Sequence, residues 1–495
     1  MRRWRMVLLG VATLGLIATA VPATATHEPA EASNMDLVFH EPNSTGATNS
    51  DLAFWGDRAY AGNYDGFKIF DVSDPASPEL LSDFACFGPQ NDPVVWQNKL
   101  LFLAIDRTLT GPECGATATD HDDPDGWEGV RIFDVSDPEN PEYITAVYTD
   151  CGAHTITLFP KSKNSLLLYV SSYPLRPGPT CGEVRGPEAG RDPLHGVIQV
   201  IKVNVNDPAA AEEVAEPPIV YPGDPDNRIV WSEHGLAGPP ALESAARACH
   251  DISVMPALRL AAAACAEQGQ LWRIKKNGIP DTANPIWVTD DEVDETGITG
   301  DPADQGVVVD FYHSATFSND GSVVNFIDES FGDGCPPTTP AGHHPGDTGR
   351  MFFHDASDGS VLSVFMADRS ETQYCSAHMG LPVPTTDGQD LLVNAWYMAG
   401  VDVVDFTDPT NPSEVAYFDT SAPTGAAGTD NWSAYWYEGP ALAGSNLTIY
   451  ASDGVHAPAA VAANGRGFNV YRADVTAAEA TLGRLNPQTQ EFFTG

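Results

Sequence analysis

A ten-residue segment recurs along this chain. Gly66-Phe67-Lys68-Ile69-Phe70-Asp71-Val72-Ser73-Asp74-Pro75 returns as Gly129-Val130-Arg131-Ile132-Phe133-Asp134-Val135-Ser136-Asp137-Pro138, and more loosely as Gly400-Val401-Asp402-Val403-Val404-Asp405-Phe406-Thr407-Asp408-Pro409. Repetition on this scale constrains the fold more than composition does, because each copy must be one structural unit that packs against its own kind. Within each copy the apolar residues alternate, which predicts a strand, and the Asp-Pro step predicts a turn. A second apolar run follows, as in 79–84 and 142–148.

Weaker copies fill the gaps. Residues 199–208 keep an Asn-Asp-Pro turn, Asp355-Ala356-Ser357-Asp358 keeps the acidic turn, 467–471 keeps the strand, and 269–274 is the most degraded copy. Each copy is preceded by another pair of apolar runs, such as 52–55 with 59–61, or 155–159 with 165–171. The unit is therefore four short antiparallel strands, and seven units are present. With almost no helical periodicity between them, the expected fold is all-β, a seven-bladed β-propeller of four-stranded antiparallel blades. The propeller is expected over 49–474, with an N-terminal segment at 26–48 and a C-terminal tail at 475–495. Residues 35–40 precede the first complete blade and are placed to supply the outer strand of the last, closing the ring.

The Gly-x-x-Ile-Phe-Asp-Val-Ser-Asp-Pro copies resemble LVIVD repeats, which occur in secreted bacterial and archaeal β-propellers. The resemblance is strong over 50–148 and 376–419 and weak between them. It implies a propeller and leaves the activity open.

Aligning the units on their first strands gives Asp51, Asp92, His154, His250, His313, His378 and Trp432 at one position. First strands are innermost in a propeller, so these residues are expected to encircle the central channel at one depth. Two readings account for histidine in four consecutive units: a structural role in which each imidazole bridges to a neighbouring blade's backbone, or a shared metal ion. Neutral imidazoles suit iron, copper or zinc, whereas calcium and magnesium take oxygen ligands. The metal reading takes His154, His250, His313 and His378 as ligands of a transition-metal ion. Asp51 and Asp92, at the same ring level, then hydrogen-bond a small ligand held in an open position of the ion or offset its charge. The proposed ring is similar to the four axial histidines of carotenoid cleavage oxygenases and to the histidine-linked metal of selenium-binding methanethiol oxidases. That likeness is one of site geometry only.

Eight cysteines in an exported chain allow four disulfides. Cys86, Cys151, Cys249 and Cys375 shortly precede first strands, while Cys114, Cys181, Cys265 and Cys335 lie near the ends of second strands. Sequential pairing, Cys86 with Cys114, Cys151 with Cys181, Cys249 with Cys265 and Cys335 with Cys375, would tie down the loops on the face where the histidines emerge.

Export is read from residues 1–25. Arg2, Arg3 and Arg5 precede the apolar run 7–21, and Ala23-Thr24-Ala25 supplies a small-residue cleavage site, so a secreted, extracellular product is expected. No later run is long enough to cross a bilayer as a helix, so no integral membrane association is expected. With 25 Lys and Arg against 68 Asp and Glu and a net charge of −43, nucleic acid is excluded as an expected partner, since like charges repel its phosphates.

Other signals carry less. The acidic stretches 120–126 and 290–295 lack calcium-loop spacing and read as solvated loops. His343-His344 reads as a loop pair, and Trp432, Tyr435 and Trp436 as packing. Serine-hydrolase, zincin, P-loop and dinucleotide-binding motifs are absent. Two functions stay open: a metal-dependent oxidoreductase using dioxygen or a peroxide, or a non-catalytic propeller that binds a surface polymer or other partner and keeps its metal for structure. A small molecule or a polymer is the expected partner and a monomer the expected state.

Overall fold

The computed structural model describes residues 31–43, 47–120, 123–172, 196–220, 249–265, 268–289, 309, 311–329, 349–367, 375–385, 388–419, 431–438, 447–454, 466–475, 484–486 and 489. Two N-terminal strands, β1 (Glu31–Ser33) and β2 (Met35–Pro42), precede the repeats. Blade 1 holds β3 (Asn49–Trp55), β4 (Arg58–Asn63), β5 (Gly66–Asp71) and β6 (Glu79–Ala85), and blade 2 holds β7 (Gln90–Trp96), β8 (Leu100–Leu109), β9 (Trp127–Asp134) and β10 (Glu142–Tyr148). Blade 3 follows with β11 (Thr155–Ser162), β12 (Ser165–Ser171), β13 (Gln199–Asn204) and β14 (Asp207–Ala215), then blade 4 with β15 (Asp251–Met255), β16 (Leu260–Cys265), β17 (Gln268–Arg273) and β18 (Trp287–Val288). Blade 5 comprises β19 (Tyr312–Phe317), β20 (Val323–Asp328), β21 (Met351–Asp355) and β22 (Val361–Phe365), and blade 6 comprises β23 (Gly380–Val383), β24 (Leu391–Ala395), β25 (Val401–Asp405) and β26 (Ser413–Asp419). Blade 7 is built from β27 (Asn431–Trp436), β28 (Leu447–Asp453) and β29 (Gly467–Ala473), and β30 (Arg484–Leu485) lies in the C-terminal segment.

Every blade is an antiparallel sheet in sequence order, so the chain is an all-β, seven-bladed propeller. Blade 7 takes its outer strand from the N-terminus: β2 pairs antiparallel with β29, Met35 opposite Ala473 and Pro42 opposite Gly467. Outermost on blade 6, β1 pairs with β26, an addition that the repeats do not announce. Inner strands of neighbouring blades run in the same direction, as the parallel contact of Gly380 in β23 with Ala434 in β27 shows.

The repeat motif has a local cause. Asp71 accepts the Ser73 amide at 2.9 Å and Asp74 the Ala76 amide at 3.1 Å. The same tandem turn recurs with Asp134 and Asp137, and with Asp405 and Asp408. Each carboxylate satisfies a turn amide that has no ladder partner, which is why the motif carries Asp where the chain reverses. The glycine that opens the third strand is equally constrained. Gly66, Gly129 and Gly400 all have positive φ, and a Cβ on them would sit 1.9, 2.2 and 2.0 Å from the carbonyl oxygens of Phe84, Val147 and Phe418 on the fourth strand. Gly66→Ala should therefore destabilise the fold by on the order of 3 kcal/mol, from the left-handed backbone plus the clash. Urea unfolding measures it, and a loss below 1 kcal/mol would mean that the two strands can separate at no cost.

Apolar clusters lie between blades. Val94, Phe102 and Val130 of blade 2 pack with Ile156, Leu168 and Ile201 of blade 3, and Leu52 and Phe70 of blade 1 join Val403 of blade 6 and Tyr450 of blade 7. Neighbouring blades thus bury one another's faces, which is what a repeat unable to fold alone requires.

One buried histidine belongs to this packing. His354 on β21 lies among Trp287, Tyr312 and Phe326, with Nδ1 donating to the Gly359 carbonyl at 3.0 Å. Burial pulls its pKa down to about 4. The unfolded chain takes up this proton near 6.5 and the folded one does not, so the stability it supports is complete above that pH and falls as pH drops towards 4. The loss is about 3 kcal/mol. His354→Leu should flatten that part of the stability–pH curve in urea titrations, and a curve of unchanged slope would contradict the assignment.

The C-terminal segment enters the channel. Strand β30 pairs with the inner edge of β3, Leu485 opposite Phe54. Asn486 Oδ1 accepts the Val95 amide of blade 2 at 2.6 Å, Thr489 Oγ1 donates to the Leu158 carbonyl of blade 3 at 2.8 Å, and Thr489 bridges Val254 of blade 4. These contacts fall three or four residues beyond Asp51, Asp92, His154 and His250, about 10–13 Å along the strands. Residues 484–486 and 489, expected as part of a C-terminal tail, thus contribute to the channel lining.

Cys86–Cys114 and Cys249–Cys265 are disulfides, as the sequential scheme expects. Cys151 and Cys375 are each half of a disulfide. Their expected partners Cys181 and Cys335 lie outside the described residues, as do residues 1–25, 290–295 and 343–344. Cysteine pairs of this kind fit an oxidising compartment. Among the described residues no helix is long and apolar enough to cross a membrane. Of the 120–126 stretch, the described residues 123–126 form a turn, with the Asp123 carboxylate bound by Thr119 Oγ1 at 2.7 Å and the Asp125 amide at 3.0 Å.

Candidate metal centre

The first strand of each blade delivers its opening residue to one end of the channel, and the loops before it fix how. The Cys249–Cys265 disulfide sits beside His250, whose amide donates to the Ala264 carbonyl at 2.7 Å. The His154 and His378 amides are held alike by Ser171 and Ala395 of their own second strands. Backbone pairing thus sets the depth of each imidazole.

The rings form a contiguous arc. Ring centroids are 4.3 Å apart for His154 and His250, 3.6 Å for His250 and His313, 3.9 Å for His313 and His378, and 4.4 Å for His378 and Trp432. All four histidines are at most 3 % exposed. Asp51 and Asp92, also buried, continue the circle from blades 1 and 2, with the Tyr435 hydroxyl donating to Asp51 at 2.6 Å. The seven positions aligned in the sequence therefore lie together around the channel.

Donor atoms close enough to share one ion form two groups among the described residues. One is His250, Asp251 and His313, and the other is His313, Glu329 and His378; in each group the atoms lie within 4.8 Å of one another. His154 falls in neither. Its Nδ1 meets Asp106 Oδ2 at 2.7 Å, while His378 Nδ1 donates to the Trp432 carbonyl of the next blade at 2.5 Å. The structural role foreseen for these imidazoles, a bridge to the neighbouring blade's backbone, is thus present at His378, and the His250 and His313 rings make the same kind of bond to the backbone of His313 and His378.

Burial dominates the electrostatics. It pushes the pKa values of His250 and His313 well below the usual imidazole range, and the neighbouring imidazoles push the same way. These rings are neutral, the form that binds a metal ion. The carboxyls move oppositely: burial raises Asp51 to about 6 against the hydrogen bonds from Tyr435 and Leu52, and raises Asp92 well above the ordinary value with Asp51 and Asp251 adding to it. The channel end has an imidazole half and a carboxylate half.

Three acids were not visible from first-strand alignment. Asp251 directly follows His250, and its Oδ1 lies 3.3 Å from His250 Nδ1. Asp106 and Glu329 come from the second strands of blades 2 and 5, and Glu329 also accepts a hydrogen bond from the Tyr397 hydroxyl. Their signal is an acidic residue that follows the apolar run of a second strand, as in Leu103-Ala104-Ile105-Asp106 and Phe326-Ile327-Asp328-Glu329.

The LVIVD repeat family model matches residues 46–85, the span of blade 1. No curated protein matches the chain. Among solved structures, a putative 6-phosphogluconolactonase from Bacteroides fragilis is 12 % identical, over 92 % of this chain and 100 % of its own, with a TM-score of 0.43. A putative 6-phosphogluconolactonase from Bacteroides uniformis is 12 % identical over 82 % and 94 %, with a TM-score of 0.44. The β-propeller domain of Cps50 (Swd1) from Myceliophteria thermophila is 10 % identical over 90 % and 99 %, with a TM-score of 0.42. The repeat match and the strand pairing carry the identification: the chain is a β-propeller bearing an LVIVD repeat.

Proposed function

We propose that the protein binds a transition-metal ion, iron, copper or zinc, among the imidazoles at the channel end, and that the centre serves an exported oxidoreductase. The observation that carries the reading is the pair of buried donor groups, each with two imidazoles and one carboxylate. That donor set suits iron, copper and zinc and is poor for calcium or magnesium. Asp106 at His154 and the Trp432 carbonyl at His378 each engage Nδ1, which orients the ring and directs the lone pair of the neutral tautomer to Nε2. When bound, the ion supplies Lewis acidity and, for iron or copper, one-electron chemistry. Asp51, protonated below about pH 6 and hydrogen-bonded to Tyr435, is a proton donor at the same level of the channel. Disulfides beside the site fit export.

Elemental analysis of the purified mature protein, followed by dioxygen and peroxide consumption with a panel of reductants, tests this. The expected result is a stoichiometric transition metal and oxidant turnover. A protein that binds no transition metal even when it is supplied would end the reading. Bound metal without turnover would favour the non-catalytic interaction propeller.

A further inference from the structure

We propose, resting on the metal reading above, that the arc holds two transition-metal ions, one on either side of His313, with its imidazole ring bridging them. The two nitrogens of His313 face different carboxylates: Nδ1 lies 3.9 Å from Asp251 Oδ2, and Nε2 lies 3.9 Å from Glu329 Oε2. His250 completes the first set and His378 the second. The lone-pair directions of two nitrogens on one ring diverge, so a single ion cannot take both. Metal bonds of about 2.0–2.2 Å at tetrahedral angles set donors about 3.3–3.6 Å apart. In the first set the spacings of 3.3 Å from His250 to Asp251 Oδ1 and 3.9 Å from His313 to Asp251 Oδ2 are near that, and in the second His313 lies 3.9 Å from Glu329 with all donors within 4.8 Å of one another.

Charge points the same way. Asp106, Asp251 and Glu329 gather beside the imidazoles at this end of the channel, three carboxylates against neutral rings. A second divalent ion balances charge that one ion leaves in excess. The proton accounting is simple. A neutral imidazole has one lone pair, so the second ion binds as the remaining N–H proton of His313 leaves to buffer, giving up the hydrogen bond to the His378 backbone. No electron is transferred.

Equilibrium dialysis of the full chain against Cu²⁺, with paramagnetic resonance of the loaded protein, tests the proposal. Two coppers per chain are expected, with a resonance signal integrating to well under the total copper because the bridge couples the spins, and with one further proton released for the second copper. His250→Ala and His378→Ala should each retain one copper whose signal integrates in full. One copper at saturation in the unmodified chain overturns the pair while leaving a single-ion centre. No copper removes the metal reading itself. Two coppers with a full, uncoupled signal overturn the bridge.

Discussion

Replacing His154, His250, His313 and His378 together by Ala should abolish transition-metal binding and leave the blades folded. Both donor groups lose every nitrogen, and the remaining carboxylates form an oxygen-only set that selects hard cations instead. Loss of a single outer partner of a metal ligand costs about 10–100-fold in affinity, and loss of all the imidazoles costs far more. The β-sheet signature in circular dichroism should persist, because blade pairing and the apolar clusters between blades do not depend on these side chains. His154→Ala alone is informative. Lying outside both donor groups, it should weaken binding by about 10-fold and no more. Dialysis against Zn²⁺ with elemental analysis measures both variants, and a quadruple variant that still held stoichiometric zinc would place the site elsewhere.

The second large effect is expected at Arg131. This side chain is fully buried on β9 and donates to the carbonyls of Pro112 at 2.8 Å, Phe87 at 2.7 Å and Glu113 at 3.2 Å, with Cys86 Sγ at 3.3 Å. It thereby pins both ends of the Cys86–Cys114 loop to the blade. Burial lowers its pKa only to about 10, so it remains charged. Arg131→Met removes the donors and leaves three carbonyls without them, which should cost about 3–5 kcal/mol in urea unfolding. Arg131→Lys keeps the charge and loses the planar fork, so it should recover less than half of that. A change below 1 kcal/mol for the Met variant would show that the loop stands without this anchor.

The fold was legible because the repeat carried its own instructions. Apolar alternation gave the strands, and the Asp-Pro step gave the turns. Why the repeat keeps Gly66, Gly129 and Gly400 became clear only in the structure, where two strands approach too closely there for a side chain. The apolar run at 35–40 led correctly to β2 on the last blade. Strands β1 and β30 were not legible. They are two or three residues long, repeat nothing, and exist because a sheet edge is available to them in the folded chain.

The site was half legible. One repeat position collected the histidines, Asp51, Asp92 and Trp432, because residues at equivalent points of a propeller share a radius. Asp106 and Glu329 were missed because they leave their blades from a different strand and meet the arc only through the curvature of the sheets. Asp251 was missed because alternation assigns neighbours His250 and Asp251 to opposite faces, whereas Asp251 Oδ1 stands 3.3 Å from the ring of His250. Convergence of all four histidines on one ion was the simplest expectation from alignment. The structure instead arranges them as an arc with two donor groups that share His313.

Anomalous diffraction from crystals of the metal-loaded protein, collected on both sides of the metal's absorption edge, tests the central claim most directly. The account predicts a peak within bonding distance of His313 and of at least one of His250 and His378, at the channel end away from Asn486 and Thr489. A fully loaded protein whose only peak lies outside the arc, or whose arc shows no anomalous density, would contradict it.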